Sequence, residues 1–246
     1  LLDTAVHNIQ LVVGKTFNQV VTDEEQKANL TIYKEGEVLT GANVTAEGVS
    51  FVYEKRRQKG AVYNVYAAAD IKRADGTVVY KQGALVKENL TTGDDGSATL
   101  KELYLGTYRV TEMKAPTNLI CTGESKEVTL SYAGQNVEVA VGDLTFVNDR
   151  QKAKVFAEKQ DKDTKKPLVG AVFGLYAGKD IKNQDGQVVV AKDTLIAKAI
   201  TDEMGSGAFA ADLPNNNSYY VKELQAPANY FRNSDEVYSF DFQYTN

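Results

Sequence analysis

The amino-acid sequence predicts an all-β fold built from tandem antiparallel β-sandwich domains. The first observation is the alternation of apolar and polar residues in short segments such as Val128–Tyr132 (VTLSY) and Tyr238–Phe242 (YSFDF), which is typical of half-buried strands. The second is the Asp-Gly turns between these segments, as in Ala74–Thr77 (ADGT). Helix is expected only as a turn or two, near residues 67–71 and 177–181. The third observation is an internal repeat.

The repeat consists of three pairs of similar segments that occur in the same order in both halves of the chain. They are Gln26–Lys34 with Gln151–Lys159, Gly60–Ala67 with Gly170–Ala177, and Tyr108–Pro116 with Tyr219–Pro227. Self-similarity in a fixed order indicates that one structural unit is present twice. The sequence therefore predicts two copies of the same domain.

These copies set the predicted domain boundaries. The first domain covers residues 26–150 and carries an insertion at 37–58, and the second covers residues 151–246. Both lengths suit a single sandwich core. Residues 1–25 are interpreted as the tail of a preceding, truncated domain, or as an added strand of the first domain. No signal peptide and no sorting signal is recognisable, so both ends are expected to be cut from a longer chain.

Composition narrows the function classes. The net charge of −5 argues against nucleic acid or an anionic membrane as the main partner. No apolar run approaches the ~20 residues of a membrane span. The single cysteine, Cys121, cannot form an internal disulfide, and is either an inert residue or a reactive thiol. The single histidine, His7, lies outside both repeats, which excludes a His-based triad within either repeat and a His-ligated metal cluster. No cofactor motif is present, so no cofactor or metal is predicted.

Three polar residues of each repeat fall on the apolar face of their strands, because residues two apart share a face. Lys34, for example, has the same parity as Leu30 and Ile32. The six residues are Lys34, Glu112 and Asn148 in the first repeat and Lys159, Glu223 and Asn246 in the second. Lys55, which has the parity of Phe51, is a rival to Lys34.

Two interpretations fit such a trio. One is a buried Lys–Glu ion pair with an Asn hydrogen bond. The other is covalent: burial lowers the pKa of an amine and raises that of a carboxylic acid, and a neutral amine is a nucleophile. The amine would attack the carboxamide carbon while the carboxyl group relays protons to the leaving ammonia. The product would be an amide between the first and last strands.

The motifs resemble those of the B-type repeat domain of collagen adhesins, which also occurs in Gram-positive pilins. The resemblance rests on the Lys-bearing first strand, on Gly170–Ala177 (GAVFGLYA), on the Tyr-x-Val-x-Glu-x-x-Ala-Pro block in both copies, and on the terminal Asn strand. It implies an immunoglobulin-like or prealbumin-like sandwich with an autocatalytic Lys–Asn isopeptide bond. By position, the implied catalytic residues are Glu112 and Glu223, and the implied cross-links are Lys34–Asn148 and Lys159–Asn246.

The first repeat departs from the family pattern at one point. The family usually has Lys-x-Asp near the first strand. Lys159–Asp161 (KQD) fits this pattern, whereas Lys34–Gly36 (KEG) does not. This departure keeps Lys55 open as the cross-linking residue of the first domain.

The sequence therefore predicts a structural stalk module of a Gram-positive adhesin or pilin, extracellular and anchored to the cell wall. Its partners would be the neighbouring repeats of the same chain. Each domain would cross-link its own lysine and asparagine once, so the protein is not expected to be a turnover enzyme. The alternative is a ligand-binding adhesin module that recognises a host matrix protein or a glycan through the 37–58 insertion and the Tyr-rich surface. A carbohydrate-active enzyme would need two carboxylates flanking a cleft, and no such pair stands out.

Overall fold

The structure is a computed structural model that describes residues 22–232 and 236–245, with positions 10, 13, 14, 16, 18 and 20. Every regular element in these residues is a strand, as the sequence predicts. The strands are β1 (Lys27–Thr45), β2 (Gly48–Arg57), β3 (Val62–Ala67), β4 (Ile71–Lys72), β5 (Val78–Tyr80), β6 (Leu85–Thr91), β7 (Ser97–Leu103), β8 (Gly106–Lys114), β9 (Ser125–Leu130), β10 (Val139–Asn148), β11 (Val155–Glu158), β12 (Val172–Ala177), β13 (Ile181–Lys182), β14 (Val188–Val190), β15 (Leu195–Ile200), β16 (Ser206–Phe209), β17 (Asn217–Gln225) and β18 (Val237–Phe242).

The short helical turns expected near residues 67–71 and 177–181 are not formed. At both places the chain bends and enters a two-residue strand, β4 or β13. The backbone there pairs with the following strand of a small hairpin, as Ile71 does with Tyr80 and Ile181 with Val190. Pairing across the Asp-Gly turn satisfies backbone groups that a helical turn would otherwise bond internally.

Contacts divide the chain into two compact units. Of the described residues, unit 1 contains those up to Lys34 together with 57–114 and 122–146, and unit 2 contains those in 35–56, 115–121 and from 147 onward. The insertion predicted at 37–58 is therefore grouped almost entirely with unit 2. The domain boundaries drawn from the repeat alone stay a prediction.

Unit 1 is a sandwich of two sheets. One sheet has the order β6-β3-β8-β9. In the other sheet, the part of β1 up to Lys34 pairs with β7, and β1 is also hydrogen-bonded to β10. The core lies between them and includes Leu30 and Ile32 from β1, Tyr63 from β3 and Phe146 from β10, each fully buried. Tyr63 and Phe146 meet across the core with ring centroids 4.8 Å apart, which fixes β10 against the opposite sheet.

Unit 2 repeats this plan with a shorter second layer. One sheet has the order β15-β12-β17-β18, and β11 pairs with β16. Its core is centred on Leu175, Ile181 and Tyr219. Four residues of the insertion, on β1 and β2, also pack against this core. They are Leu39, Ala42, Val49 and Phe51.

The pairing assigns each strand of unit 2 a counterpart in unit 1. β18 is hydrogen-bonded to β17 with Tyr219 opposite Phe240, just as β9 is hydrogen-bonded to β8 with Tyr108 opposite Val128. The segment with Phe240 and Phe242 is thus the counterpart of β9, whereas its alternation had suggested the last strand, β10. Parity identifies the buried face of a strand but not its place in the sheet.

Candidate cross-linking site

β1 carries Lys34 into the interior of unit 1. The alternation of the strand buries Leu30, Ile32 and Lys34 completely. Both backbone polar groups of Lys34 are hydrogen-bonded: its N–H donates to the Gly96 carbonyl at 2.9 Å, and its carbonyl accepts from the Gln58 N–H at 2.9 Å. These bonds position the strand segment that carries the amine, and a reactive group needs such positioning.

β8 carries Glu112 to the same place from the opposite sheet. Tyr108 and Val110 are completely buried on the same face, and Glu112 is 1% exposed. In the sheet, Glu112 lies opposite Tyr63 of β3, and its N–H donates to the Glu124 carbonyl at 2.9 Å. The carboxylate thus projects from a central strand into the core.

The two side chains meet in the core. Lys34 Nζ lies 2.7 Å from Glu112 Oε1, and both side chains are fully shielded from solvent. Removing two charges from water costs several kcal/mol per ion unless the geometry and further hydrogen bonds compensate. An amine and a carboxyl group at this distance can exchange a proton directly.

Asn148 is the last residue of β10 and is 3% exposed. Phe146, two residues earlier on the same face, is completely buried. β10 is hydrogen-bonded to β1, the strand that carries the lysine. Lys34, Glu112 and Asn148 are therefore buried polar groups on β1, β8 and β10, and their cross-linking role stays a prediction.

The second repeat contains the equivalent ion pair. Lys159 Nζ lies 3.0 Å from both carboxylate oxygens of Glu223. The Lys159 side chain is 26% exposed and that of Glu223 is 8% exposed, so this pair is less shielded than that of unit 1. The predicted third member, Asn246, lies outside the described residues.

Other residues singled out by the sequence lie at the surface. Lys55, the rival to Lys34, is exposed on β2, and Cys121 is exposed in a loop.

In the described part of the chain, no group of His, Cys, Asp and Glu side chains is arranged to hold a metal ion. Over the same residues, no helix has the length and apolar character needed to cross a membrane.

Sequence reasoning missed a matched pair of buried threonines. The Thr92 hydroxyl accepts from the Ala61 N–H at 3.0 Å and donates to the Gln58 carbonyl at 3.0 Å. In unit 2, the Thr201 hydroxyl accepts from the Ala171 N–H at 2.9 Å and donates to the Leu168 carbonyl at 2.7 Å. Each threonine holds the segment that precedes the Gly-Ala-Val strand. A threonine at the same place in both copies of the repeat was the sequence signal that could have revealed this contact.

Arg150 was also missed, because the repeat had assigned it to the end of the first domain. It is 4% exposed in unit 2, forms ion pairs with Glu37 at 3.6 Å and with Asp212, and lies 3.7 Å from the centre of the Tyr53 ring. The Tyr53 hydroxyl donates to the Asp212 carbonyl at 2.8 Å, and burial raises the pKa of Tyr53. Arg150 therefore joins the insertion to the rest of unit 2.

Comparisons with known proteins agree with this fold. The family described as SpaA, prealbumin-like fold domain, matches residues 8–145 and 153–246. The Bacillus anthracis TIE protein is similar over 89% of this chain, with 25% identity and a TM-score of 0.57, and this chain spans only 32% of that structure.

Two pilins align less closely. The shaft pilin SpaA from Lactobacillus rhamnosus GG is 17% identical over 89% of this chain and 95% of its own, with a TM-score of 0.33. A variant of BcpA, the major pilin subunit of Bacillus cereus, is 13% identical over 88% of this chain and 93% of its own, also with a TM-score of 0.33. The comparison with curated protein sequences gave no significant match.

Proposed function

Since the chain belongs to the family of SpaA prealbumin-like fold domains, we propose that it is a structural stalk module of a Gram-positive surface pilin or adhesin. Its first repeat is stabilised by an isopeptide bond between Lys34 and Asn148 that forms autocatalytically with Glu112. The observation that carries this proposal is the fully buried Lys34–Glu112 pair in a sandwich whose β10 ends in a buried asparagine beside β1.

The chemistry follows from proton transfer within that pair. Desolvation favours the neutral forms of an amine and a carboxyl group. The neutral Lys34 Nζ attacks Cγ of Asn148, and the protonated Glu112 polarises the carboxamide oxygen. A C–N bond forms, the bond from Cγ to Nδ2 breaks, and Glu112 carries the proton from Nζ to the departing ammonia. The carboxyl group returns to its starting state, and the site reacts once.

The bond would serve the function of a stalk. An amide between β1 and β10 closes a loop of roughly 100 residues, which for a disulfide of that span corresponds to about 5 kcal/mol of stabilisation. Tension would pass through the covalent link without unfolding the strands between its ends. A chain with an exposed single cysteine thereby gains what disulfides provide in other extracellular proteins.

The setting follows from this role. We place the module outside the cell, in a protein anchored to the cell wall, with neighbouring repeats or pilin subunits as its partners. For the second repeat, the Lys159–Glu223 pair supports the same chemistry, and the predicted acceptor, Asn246, stays a prediction.

Intact-protein mass spectrometry tests the bond. We expect the chain to be lighter than its sequence by one ammonia for the Lys34–Asn148 link, and a proteolytic fragment should join the peptides that contain these residues. Glu112→Ala should restore the full mass. Glu127→Ala, which removes an exposed carboxylate from β9, should keep the deficit.

The lysine variants complete this test. Lys34→Ala should abolish the ammonia loss from the first repeat, whereas Lys55→Ala should leave it unchanged. An uncross-linked Lys34 in the wild-type chain, or a deficit that persists in Glu112→Ala, would contradict the proposed mechanism.

A further inference from the structure

A cleft of about 470 Å³ opens on the surface of unit 2. It lies between the outward-facing side of β17 and β18 and the turn that joins β14 to β15. Its walls include Ser218 and Tyr220 from β17, Ser239 and Asp241 from β18, and Asp193 from the turn. Small-molecule sites in proteins have volumes in this range. None of these side chains belongs to the proposed cross-linking chemistry, so the cleft is a second place where unit 2 offers functional groups.

Tyr220 forms an aromatic wall of the cleft. Its ring is stacked on the ring of Tyr176, with centroids 5.1 Å apart and an interplanar angle of 6°. Lys222 Nζ lies 4.6 Å from the centre of the Tyr176 ring, which holds the stack from the other end. Directly opposite Tyr220 in the sheet is Ser239, whose side chain is too short to cover a tyrosine ring. One face of Tyr220 is therefore fixed by Tyr176, and the other borders the cleft.

Hydroxyl, carboxylate and ammonium groups surround this aromatic wall. The Tyr220 hydroxyl donates to Asp193 Oδ1 at 3.1 Å, and the Ser218 hydroxyl donates to Asp241 Oδ1 at 2.6 Å. Burial and the hydrogen bond to Asp193 raise the pKa of Tyr220 to about 12, so its hydroxyl is protonated at neutral pH. A carboxylate accepts about four hydrogen bonds, so both carboxylates can accept further donors. The exposed Lys192 adds a donor at the rim.

The first repeat has the same scaffold without these groups. The sheet pairings match three residues of unit 1 with residues of the cleft: Arg109 with Tyr220, Glu127 with Ser239, and Thr129 with Asp241. A long charged side chain therefore stands where the cleft has a serine, and an arginine replaces the aromatic wall. The cleft is a property of the second repeat and not of the shared fold.

The turn beside the cleft shows the same difference. The Asp193 N–H donates to the Ala177 carbonyl at 2.8 Å, just as the Gly83 N–H donates to the Ala67 carbonyl at 2.8 Å in unit 1. The φ angles are +63° for Asp193 and +82° for Gly83, a region that glycine adopts more readily than a residue with a side chain. The second repeat thus has a carboxylate where the backbone favours glycine, and that carboxylate contacts Tyr220.

We propose that this cleft binds a neutral pyranose unit of a glycan. The C–H groups of one sugar face pack on the open face of Tyr220. Sugar hydroxyls both donate and accept hydrogen bonds, so they can donate to Asp193 and Asp241 and accept from Lys192. The two carboxylates disfavour an acidic sugar, because like charges at a binding site repel. This site adds recognition to a module whose proposed role is mechanical.

An NMR titration of the isotope-labelled full chain tests the site, with methyl glycosides of neutral hexoses and N-acetylhexosamines as probes. We expect at least one of them to shift the amide signals of residues 192–193, 218–220 and 239–241 in a saturable manner. The methyl glycoside of glucuronic acid should bind at least about tenfold more weakly than the best neutral probe.

Three variants locate the binding. Tyr220→Ala removes the aromatic wall, and Asp193→Gly introduces the residue that the first repeat has in the same turn. Each should weaken binding of the best probe by at least about tenfold. Arg109→Ala is the matched control, since it changes the counterpart of Tyr220 in the first repeat, and it should leave the affinity unchanged.

Three results would overturn the inference: no neutral glycoside shifts these signals, the shifts map to another surface, or Tyr220→Ala and Asp193→Gly bind as tightly as the wild type. Asp193→Gly keeps the test decisive if Tyr220→Ala does not fold, because the backbone at this position suits glycine. The ammonia loss expected for Lys34 does not depend on the cleft, so the two proposals can fail separately.

Discussion

At the scale of single residues, the cores of the two repeats contain polar groups that packing alone would disfavour. The Lys34 and Glu112 side chains are fully shielded from solvent, at 2.7 Å from each other. Replacing such a pair by apolar residues is often neutral or stabilising, whereas removing one partner costs about 3–5 kcal/mol. A stability benefit from the ion pair alone would therefore be small, and the proposed covalent product would give the pair a larger role.

The buried threonines give a prediction at this scale. Thr92→Val in unit 1 and Thr201→Val in unit 2 should each lower the free energy of unfolding by about 1–3 kcal/mol, because a buried N–H and a carbonyl each lose a partner. Thr91→Val, at an exposed neighbouring position, should change it by less than about 0.5 kcal/mol. Urea unfolding followed by tyrosine fluorescence measures the difference. Equal effects at Thr91 and Thr92 would show that the hydroxyl bridge is unimportant.

At the scale of elements, the insertion is the main departure from the repeat. Phe51 and Val49 pack against the core of unit 2, and Tyr53 contacts Arg150. The same segment had been the expected location of a ligand site in the alternative adhesin function. Much of its apolar surface is occupied within unit 2, so the insertion acts first as a structural part of that unit.

Gly48 gives a prediction for this element. Its φ is +149°, and a Cβ there would lie 2.4 Å from the Ile196 carbonyl oxygen. Gly48→Ala should therefore destabilise unit 2 by about 1–3 kcal/mol, the usual cost of overpacking. Gly41→Ala is the matched control, since a Cβ at Gly41 meets nothing within 4 Å. Thermal unfolding of the two variants measures the effect, and a neutral Gly48→Ala would mean that the hairpin does not approach β15 this closely.

At the scale of the whole molecule, two separate cores carry the stability. One core is centred on Tyr63 and Phe146, and the other on Leu175 and Tyr219. The proposed Lys34–Asn148 bond would link β1 to the end of β10, two residues after Ile32 and two residues after Phe146, which belong to the first core. Cross-linking should therefore protect the two units unequally.

Calorimetry of Glu112→Ala tests this expectation. We expect one thermal transition to fall by at least about 10 °C, because about 5 kcal/mol of loop-closure stabilisation is lost. The transition of unit 2 should move little. Glu127→Ala is again the control, and a variant whose transitions both match those of wild type would contradict a stabilising cross-link.

Local patterns in the sequence determined much of this protein. The alternation of Leu30, Ile32 and Lys34 identifies the buried face of β1, because the side-chain period of a strand is a local property. The same alternation predicted the all-β fold, and the repeated Tyr-x-Val-x-Glu block indicated the family, which is confirmed as that of SpaA prealbumin-like fold domains. These features depend on neighbours in the chain, so the sequence displays them directly.

Only the tertiary structure decided which strands are neighbours. Phe240 and Phe242 have the alternation of a last strand, but their pairing with β17 gives them the place of β9. The grouping of residues 35–56 with unit 2 likewise depends on contacts with Ile196 and Arg150, far away in the sequence. Strand order and long-range packing are set by the balance of many non-local contacts. The periodic pattern of one segment therefore does not indicate which strands it pairs with.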